Sequence, residues 1–272
     1  MADTRLDDSL KTSFTILTYN VKYDAVRDEK SAWAARRDDV NAIINFYSPD
    51  IFCVQEPLAH QVADMARLPA YSHVAYGRDD GGSEGEHVAI FYKTNRYTVT
   101  DQGVFWLSPT PDIPSYGWNA RHRRMAVWAT LTDQHTNRTG APALTVVSAH
   151  LDHEYEEARV EGSKVLLDRI SQLSGAGPVI LAGDFNETPD APAVQTVLTQ
   201  FQDSRAISEK TPIGPNGTYN GFDITNVNPA ARIDYIFVKG GIKVIRQANI
   251  LTLTPDGRLP SDHFPALAEL VI

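Results

Sequence analysis

The chain has 272 residues, 42% hydrophobic and 22% charged, the composition of an ordinary globular protein with enough length for one large domain or two small ones. Its 25 Lys plus Arg against 34 Asp plus Glu give a net charge of −9, a poor electrostatic host for a long phosphate backbone, which argues against duplex-length nucleic acid. No apolar run approaches a membrane span, and the N-terminus has no apolar core of the signal-peptide kind.

Residues 1–12 read as a flexible extension, and Phe14 to Tyr19 as a first strand that ends in Asn20. Trp33, Val40, Ile43, Ile44 and Tyr47 have helical spacing, and Pro49-Asp50 ends that helix. Ile51 to Val54 is a second strand, with Gln55-Glu56 at its end. The one cysteine, Cys53, lies inside it, so no intramolecular disulfide can form; a buried thiol in a reducing, cytoplasmic setting is expected, with secretion after signal-peptide removal left open. Gly77 to Glu86 is a polar loop, followed by strands over His87–Tyr92 and about Tyr97–Trp106. Leu107 to Ala120 is a long loop with three prolines and Trp118. Met125–Leu131 alternates as a strand, Asp133–Pro142 reads as an exposed hairpin, and Ala143–Ala149 is a strand ending at His150.

A helix over about Glu156–Leu173 leads to Val179-Ile180-Leu181-Ala182-Gly183-Asp184-Phe185-Asn186. The four apolar residues predict a strand buried on both faces. Alternate residues of an extended segment share a face, so Asp184 and Asn186 can point at one spot beyond the strand's end. Pro189 and Pro192 stop the extended run, and Asp190 is placed to cap a helix from near Ala191. Strands are expected at Ile233–Val238, about Val244–Leu253 and Phe264–Val271, with Pro260-Ser261-Asp262-His263 between the last two. With no linker, repeat or low-complexity tract, one domain of two packed sheets with helices outside is the natural layering.

The polar groups at strand ends are Asn20, Glu56, His150, Asp184, Asn186, Asp234, Asp262 and His263. Hard oxygen donors of this kind suit Mg²⁺ or Mn²⁺, and the histidines suit proton transfer. Zinc-site cysteine spacing, a P-loop and a Gly-x-Ser-x-Gly elbow are all missing from the sequence.

Leu17-Thr18-Tyr19-Asn20, Gln55-Glu56, Ser148-Ala149-His150-Leu151-Asp152, Gly183-Asp184-Phe185-Asn186, Ile233-Asp234-Tyr235-Ile236-Phe237 and Ser261-Asp262-His263 together resemble the motifs of the endonuclease/exonuclease/phosphatase superfamily, in family order along nearly the whole chain. The resemblance implies an α/β (α+β) fold, a DNase I-like four-layer sandwich in which helices flank two packed mixed β-sheets. It also implies Mg²⁺-dependent (alternatively Mn²⁺-dependent) phosphoester hydrolysis by in-line attack of water. By position, Glu56 would be the principal metal ligand, with Asn20 and Asp262 completing the site. Asp184 and Asn186 would orient the water or hold the phosphate. Asp234 would polarise His263, His150 would donate to the phosphoryl oxygen or protonate the leaving group, and Glu86 would support His150.

Arg36 and Arg124 match positions often basic in these relatives, where phosphate contact and a structural role are both open. Trp118 and Tyr219 would line a substrate pocket or pack under their loops, and Asn220 lies in the same loop as Tyr219. Acidity and aromatic loops favour a small or terminal phosphoester; a monomer is the expected state, on which the sequence carries no signal of its own. The alternatives are a nuclease on single-stranded RNA or DNA, with Trp118, Tyr219 and Phe222 stacking bases beside a groove of Arg36, Arg121, Arg123, Arg124 and Arg159, and a non-catalytic binding protein of the same fold.

Overall fold

A computed structural model describes residues 13–24, 31–135, 143–174 and 177–272. In chain order the elements are β1 (Ser13–Asn20), α1 (Trp33–Tyr47), β2 (Ile51–Gln55), α2 (Ala59–Met65), β3 (Tyr71–Gly77), β4 (His87–Lys93), β5 (Tyr97–Trp106), β6 (Met125–Asp133), β7 (Leu144–His150), α3 (Glu156–Ser174), β8 (Val179–Asp184), α4 (Pro192–Leu198), β9 (Gln202–Asp203), α5 (Ser204–Ile207), β10 (Asp234–Lys239), β11 (Lys243–Asn249) and β12 (Ala266–Val271). Two six-stranded sheets result, ordered β11-β12-β1-β2-β4-β3 and β5-β6-β7-β8-β10-β9. Each contains one parallel pair joined through a helix, β1 with β2 across α1 and β7 with β8 across α3. All other pairings between these strands are antiparallel.

Period-2 alternation sorts the strand residues into layers. Ile16, Cys53, Ile90, Val127, Val146, Ile180, Ile236 and Ala268 form the core between the sheets. From the opposite faces, Leu17, Phe52 and Phe91 pack under Val40, Ile44 and Met65 of α1 and α2. Val147, Leu181 and Phe237 likewise pack under Leu166, Ile170 and Val194 of α3 and α4. Both faces of the central strands are therefore buried, as their unbroken apolar runs predict, and each such side chain contributes about 1.5–3 kcal/mol. The layering is helix, sheet, sheet, helix. Burial pushes the Cys53 thiol up to about 12, so it stays an inert thiol inside the core.

Several boundaries differ from the sequence reading. α2 and β3 occupy a stretch that was assigned no element; α2 is only seven residues long, too short for periodicity to register. β11 stops at Asn249, beyond which the Ile250 N–H turns to the Pro265 carbonyl and Leu251 and Leu253 face solvent. Asp190 does not cap α4; Ala191 holds the N-cap position without a side-chain bond, and Pro192 opens the helix. The extension at 1–12 and most of the 133–142 hairpin lie outside the described residues.

Gly183 is one position where only glycine fits. Its φ is +146°, and a Cβ would lie 2.0 Å from the Ala149 carbonyl oxygen of the neighbouring β7. Gly183→Ala is expected to lower stability by roughly 2–4 kcal/mol, combining overpacking with backbone strain. Urea unfolding measures this; an unchanged midpoint would mean that β7 can move aside freely.

Candidate functional site

The parallel strands deliver the polar residues to one end of both sheets. Asn20 ends β1 beside Gln55 of β2, with Glu56 next in the chain; His150 ends β7 beside Asp184 of β8, and Asp184 faces Asp234 of β10. A polar link between the sheets lies just below them, where Gln55 Nε2 donates to Ser148 Oγ (3.1 Å) and Thr18 Oγ1 (3.2 Å). Three residues at this end, Lys22 (φ 57°), Glu56 (72°) and Asn186 (50°), have left-handed backbone, a conformation that costs a non-glycine residue on the order of 1 kcal/mol and clusters at functional sites. Phe185 turns the other way into the α3–α4 core, edge-on to Tyr235 and Phe237, and so anchors the Asp184–Asn186 turn.

Above this floor is a cavity of about 430 Å³ lined by Glu56, Asp262, His150, His263, Asn186 and Tyr219 together with Lys22, Arg78, Glu86, His122, Arg124 and His153. Glu56 accepts from Asn20 Nδ2 (2.9 Å) and the Tyr23 N–H (3.3 Å). Burial opposes its ionisation, but Lys22 and the Asn20 bond outweigh that and lower its pKa. The Lys22 ammonium lies 3.4 Å from both Glu56 Oε2 and Asp262 Oδ2. Two carboxylates thus converge on one cation position. Ligand atoms of Glu56, His150 and Asp184 also lie within 4.8 Å of one another. This oxygen-dominated donor set fits Mg²⁺ or Mn²⁺ better than a soft metal.

His263 Nδ1 is 2.8 Å from Asp234 Oδ2, and its Nε2 is 3.8 Å from Asp184 Oδ2. Burial disfavours the charged ring, yet the Asp234 and Asp184 carboxylates prevail and push His263 up to about 10. His150 has the opposite environment. Arg124 Nη1 lies 3.1 and 3.2 Å from its two ring nitrogens, and burial together with that guanidinium holds its pKa well below the usual range. At neutral pH the site therefore pairs a charged His263 with a neutral His150. Asp184, at the floor between them, is raised to about 7 by burial and by Asp234.

A model of the Endonuclease/Exonuclease/phosphatase family matches residues 17–263. The chain belongs to that family. A Bacteroides thetaiotaomicron member of the endonuclease/exonuclease/phosphatase family superimposes with a TM-score of 0.89 at 34% identity, over 96% of this chain and 98% of that one. A mannosyl-6-phosphatase of Bacteroides thetaiotaomicron gives 0.87 at 32% identity, over 95% and 100%. The CCR4-Not complex 3′-5′-exoribonuclease subunit Ccr4 of Mycosarcoma maydis is 23% identical over 98% of this chain but 52% of its own length. The chain spans 59% or less of the curated relatives it matches.

Several of the expected site residues meet partners that the sequence does not give. Asn20 Nδ2 donates to Glu56 and to Asp184 (2.9 Å each), and its Oδ1 accepts from the Lys22 N–H. Asp184 is buried at the floor, one oxygen accepting from Asn20 Nδ2 and the other from the Asn186 N–H. Glu86 bonds Arg78 (2.6 Å) and not His150; Arg124 takes the place beside that histidine. Trp118 is not among the cavity-lining residues, whereas Tyr219 is, edge-on to His263 at 5.2 Å. Asn220 is buried, donating to the Ser261 carbonyl while its own N–H donates to that of Asp262, so it braces the 261–263 loop.

Arg36 does not reach the cavity. It is buried and donates to the carbonyls of Ser31, Val21, Lys22 and Pro260, tying the end of β1 to the loop that carries Asp262 and His263. Arg36→Met would orphan these buried acceptors and is expected to lower stability by about 2–3 kcal/mol. Thermal unfolding tests this, and a melting temperature within 1 °C (about measurement error) would show that the carbonyls find other donors. Lys22, Arg78 and His122 are cavity residues that the sequence reading did not single out. Lys22 alone carried a usable signal, two positions beyond Asn20; the other two depend on how separate loops fold over the floor.

Proposed function

We propose that the chain is a Mg²⁺- or Mn²⁺-dependent hydrolase acting by water attack on a small or terminal phosphoester. The observation that carries this reading is the meeting of Glu56, Asp262, the Asp234–His263 pair, His150 and Asn186 at one strand-end cavity of about 430 Å³, the size of a small-molecule site. Glu56 and Asp262 would hold the metal, which supplies positive charge to the phosphoryl oxygens and lowers the pKa of water bound to it. Asn20 and Asp184 keep the donor groups in register from below. The charged His263, its Nδ1–H held by Asp234, directs Nε2–H to a phosphoryl or leaving oxygen. Neutral His150 and the Asn186 amide supply further donors. Because phosphoryl transfer proceeds through a loose transition state, positioned charge matters more than a strong base.

The mannosyl-6-phosphatase relative supports a phosphorylated small molecule, a sugar phosphate included, as substrate. The single-stranded nuclease reading draws support from the Ccr4 relative and from the exposed ring of Tyr219. It loses support from four of the five arginines proposed for its groove, Arg124 alone of these lining the cavity. Arg36 is structural, Arg159 bonds Glu187, Arg121 pairs with Glu154 and Arg123 pairs with Asp79. The deciding experiment is a hydrolysis panel of p-nitrophenyl phosphate, bis(p-nitrophenyl) phosphate, hexose phosphates, nucleotides and short single-stranded RNA and DNA, with Mg²⁺, Mn²⁺ or EDTA. EDTA-sensitive turnover of a small ester with little on oligonucleotides is expected. Faster cleavage of oligonucleotides would install the nuclease reading. Silence throughout, with metal binding also lacking, would favour a non-catalytic binding protein.

A further inference from the structure

The stretch after β1 holds its backbone against ordinary preference. Lys22 is left-handed (φ 57°), and three bonds fix it there: its N–H donates to Asn20 Oδ1 (3.0 Å), and its carbonyl accepts from Arg36 Nη2 (3.1 Å) and Gln61 Nε2 (2.9 Å). Strain maintained by buried donors has a structural effect, and here it is the direction of one side chain. The Lys22 ammonium lies over the Tyr23 ring, 4.8 Å from its centroid, and stands 3.4 Å from both Glu56 Oε2 and Asp262 Oδ2. The two carboxylates are nearly buried, while the lysine side chain keeps 27% of its surface exposed. Two carboxylates held close in a poorly solvated pocket repel each other unless a cation lies between them.

We propose that Lys22 is the resident counter-ion of the metal site, balancing Glu56 and Asp262 in the metal-free protein and yielding its place when a divalent cation loads. This rests on the reading of Glu56 and Asp262 as metal ligands. A divalent ion needs those oxygens at about 2.0–2.1 Å, and an ammonium bound to the same oxygens would then be held against a doubly charged neighbour. The two cations therefore compete. Lys22 keeps the apo site folded at the cost of metal affinity, and its flexible, partly exposed stem gives it an exit toward the cavity, which it also lines.

The test uses the full chain and Mn²⁺. Free Mn²⁺ is followed by electron paramagnetic resonance for wild type, Lys22→Met and Lys22→Arg, and lysine acetylation is mapped by mass spectrometry in EDTA and in Mn²⁺. Lys22→Met should bind Mn²⁺ about tenfold or more tightly and melt lower in EDTA, whereas Lys22→Arg, which keeps the charge, should stay within a few fold of wild type. In the wild-type protein Mn²⁺ should raise the acetylation of Lys22 and leave that of Lys164, far along α3, unchanged. Equal Mn²⁺ affinity in wild type and Lys22→Met, or acetylation of Lys22 indifferent to Mn²⁺, overturns the counter-ion role while leaving the metal site standing. Mn²⁺ binding that survives Glu56→Ala unchanged overturns the metal-site reading itself, and this proposal with it.

Discussion

Replacing Glu56 with alanine should remove metal-dependent turnover by at least about a thousandfold while the fold persists. The loss follows from the site's charge. Glu56 is nearly buried, is kept ionised by Lys22 and Asn20, and shares one cation position with Asp262. Without it a divalent ion at the proposed site would keep a single carboxylate of that pair, Asp262, for which the Lys22 ammonium competes. A metal supplies several kcal/mol of transition-state stabilisation, and each 1.36 kcal/mol is tenfold in rate. The fold should survive because Glu56 lies beyond the end of β2, has left-handed backbone and contributes no ladder bond. Circular dichroism, Mn²⁺ titration and kcat/KM on the best substrate of the panel check each part. Undiminished turnover with unchanged Mn²⁺ affinity would sink the assignment.

His263→Ala should slow turnover by about a hundred- to ten-thousandfold, the range expected when a positioned proton donor is lost. Asp234→Asn should come close to it, since the Nδ1–Asp234 contact both orients the ring and keeps it charged. The same pair makes a stability prediction, measured in EDTA. His263 is held at about 10 when folded against about 6.5 when unfolded. The folded state therefore binds the proton more tightly, and the stability this confers is complete below about pH 6.5 and lost as pH rises through about 10. Asp184, raised to about 7, adds a loss in the same direction from about pH 4 to 7. Wild-type protein should weaken steadily between pH 6.5 and 10, and Asp234→Asn should weaken less across that window. Parallel pH profiles for the two proteins would show that the His263 charge is not set by Asp234.

Much of the fold was legible because its central strands are unbroken apolar runs ending in polar residues. Ile51–Glu56 and Val179–Asp184 each announce a buried strand with a hydrophilic tip, and Leu17–Asn20 and Val146–His150 likewise end in a polar residue. Their order also carries the family resemblance, and the match over residues 17–263 bears it out. Short or marginal elements were not legible. The seven-residue α2 gives periodicity too little to act on, and β3, with its mixed burial, takes its place only by pairing with β4. The last strand, expected from Phe264, begins at Ala266, where its pairing with β1 and β11 starts.

At the site, residue types and strand-end positions were determined by the sequence, since alternation along a strand is a local property. Alternation places Asp184 at the tip of β8 with Phe185 turned into the core; beyond it Asn186 has left-handed backbone, its N–H donating to Asp184 and its amide to the Leu151 carbonyl. Only the tertiary structure decides which partner each polar group meets. Asn20 turns its nitrogen toward Glu56 and Asp184; Arg36 goes inward to four carbonyls; Arg124, not Glu86, faces His150. The same holds for the two histidines, identical as letters but charged in one place and neutral in the other. A side chain's hydrogen bonds and pKa are set by groups distant in the chain: Arg124 comes beside His150 only when β6 pairs with β7, and Asp234 reaches His263 only when the segment before β12 meets β10 of the other sheet.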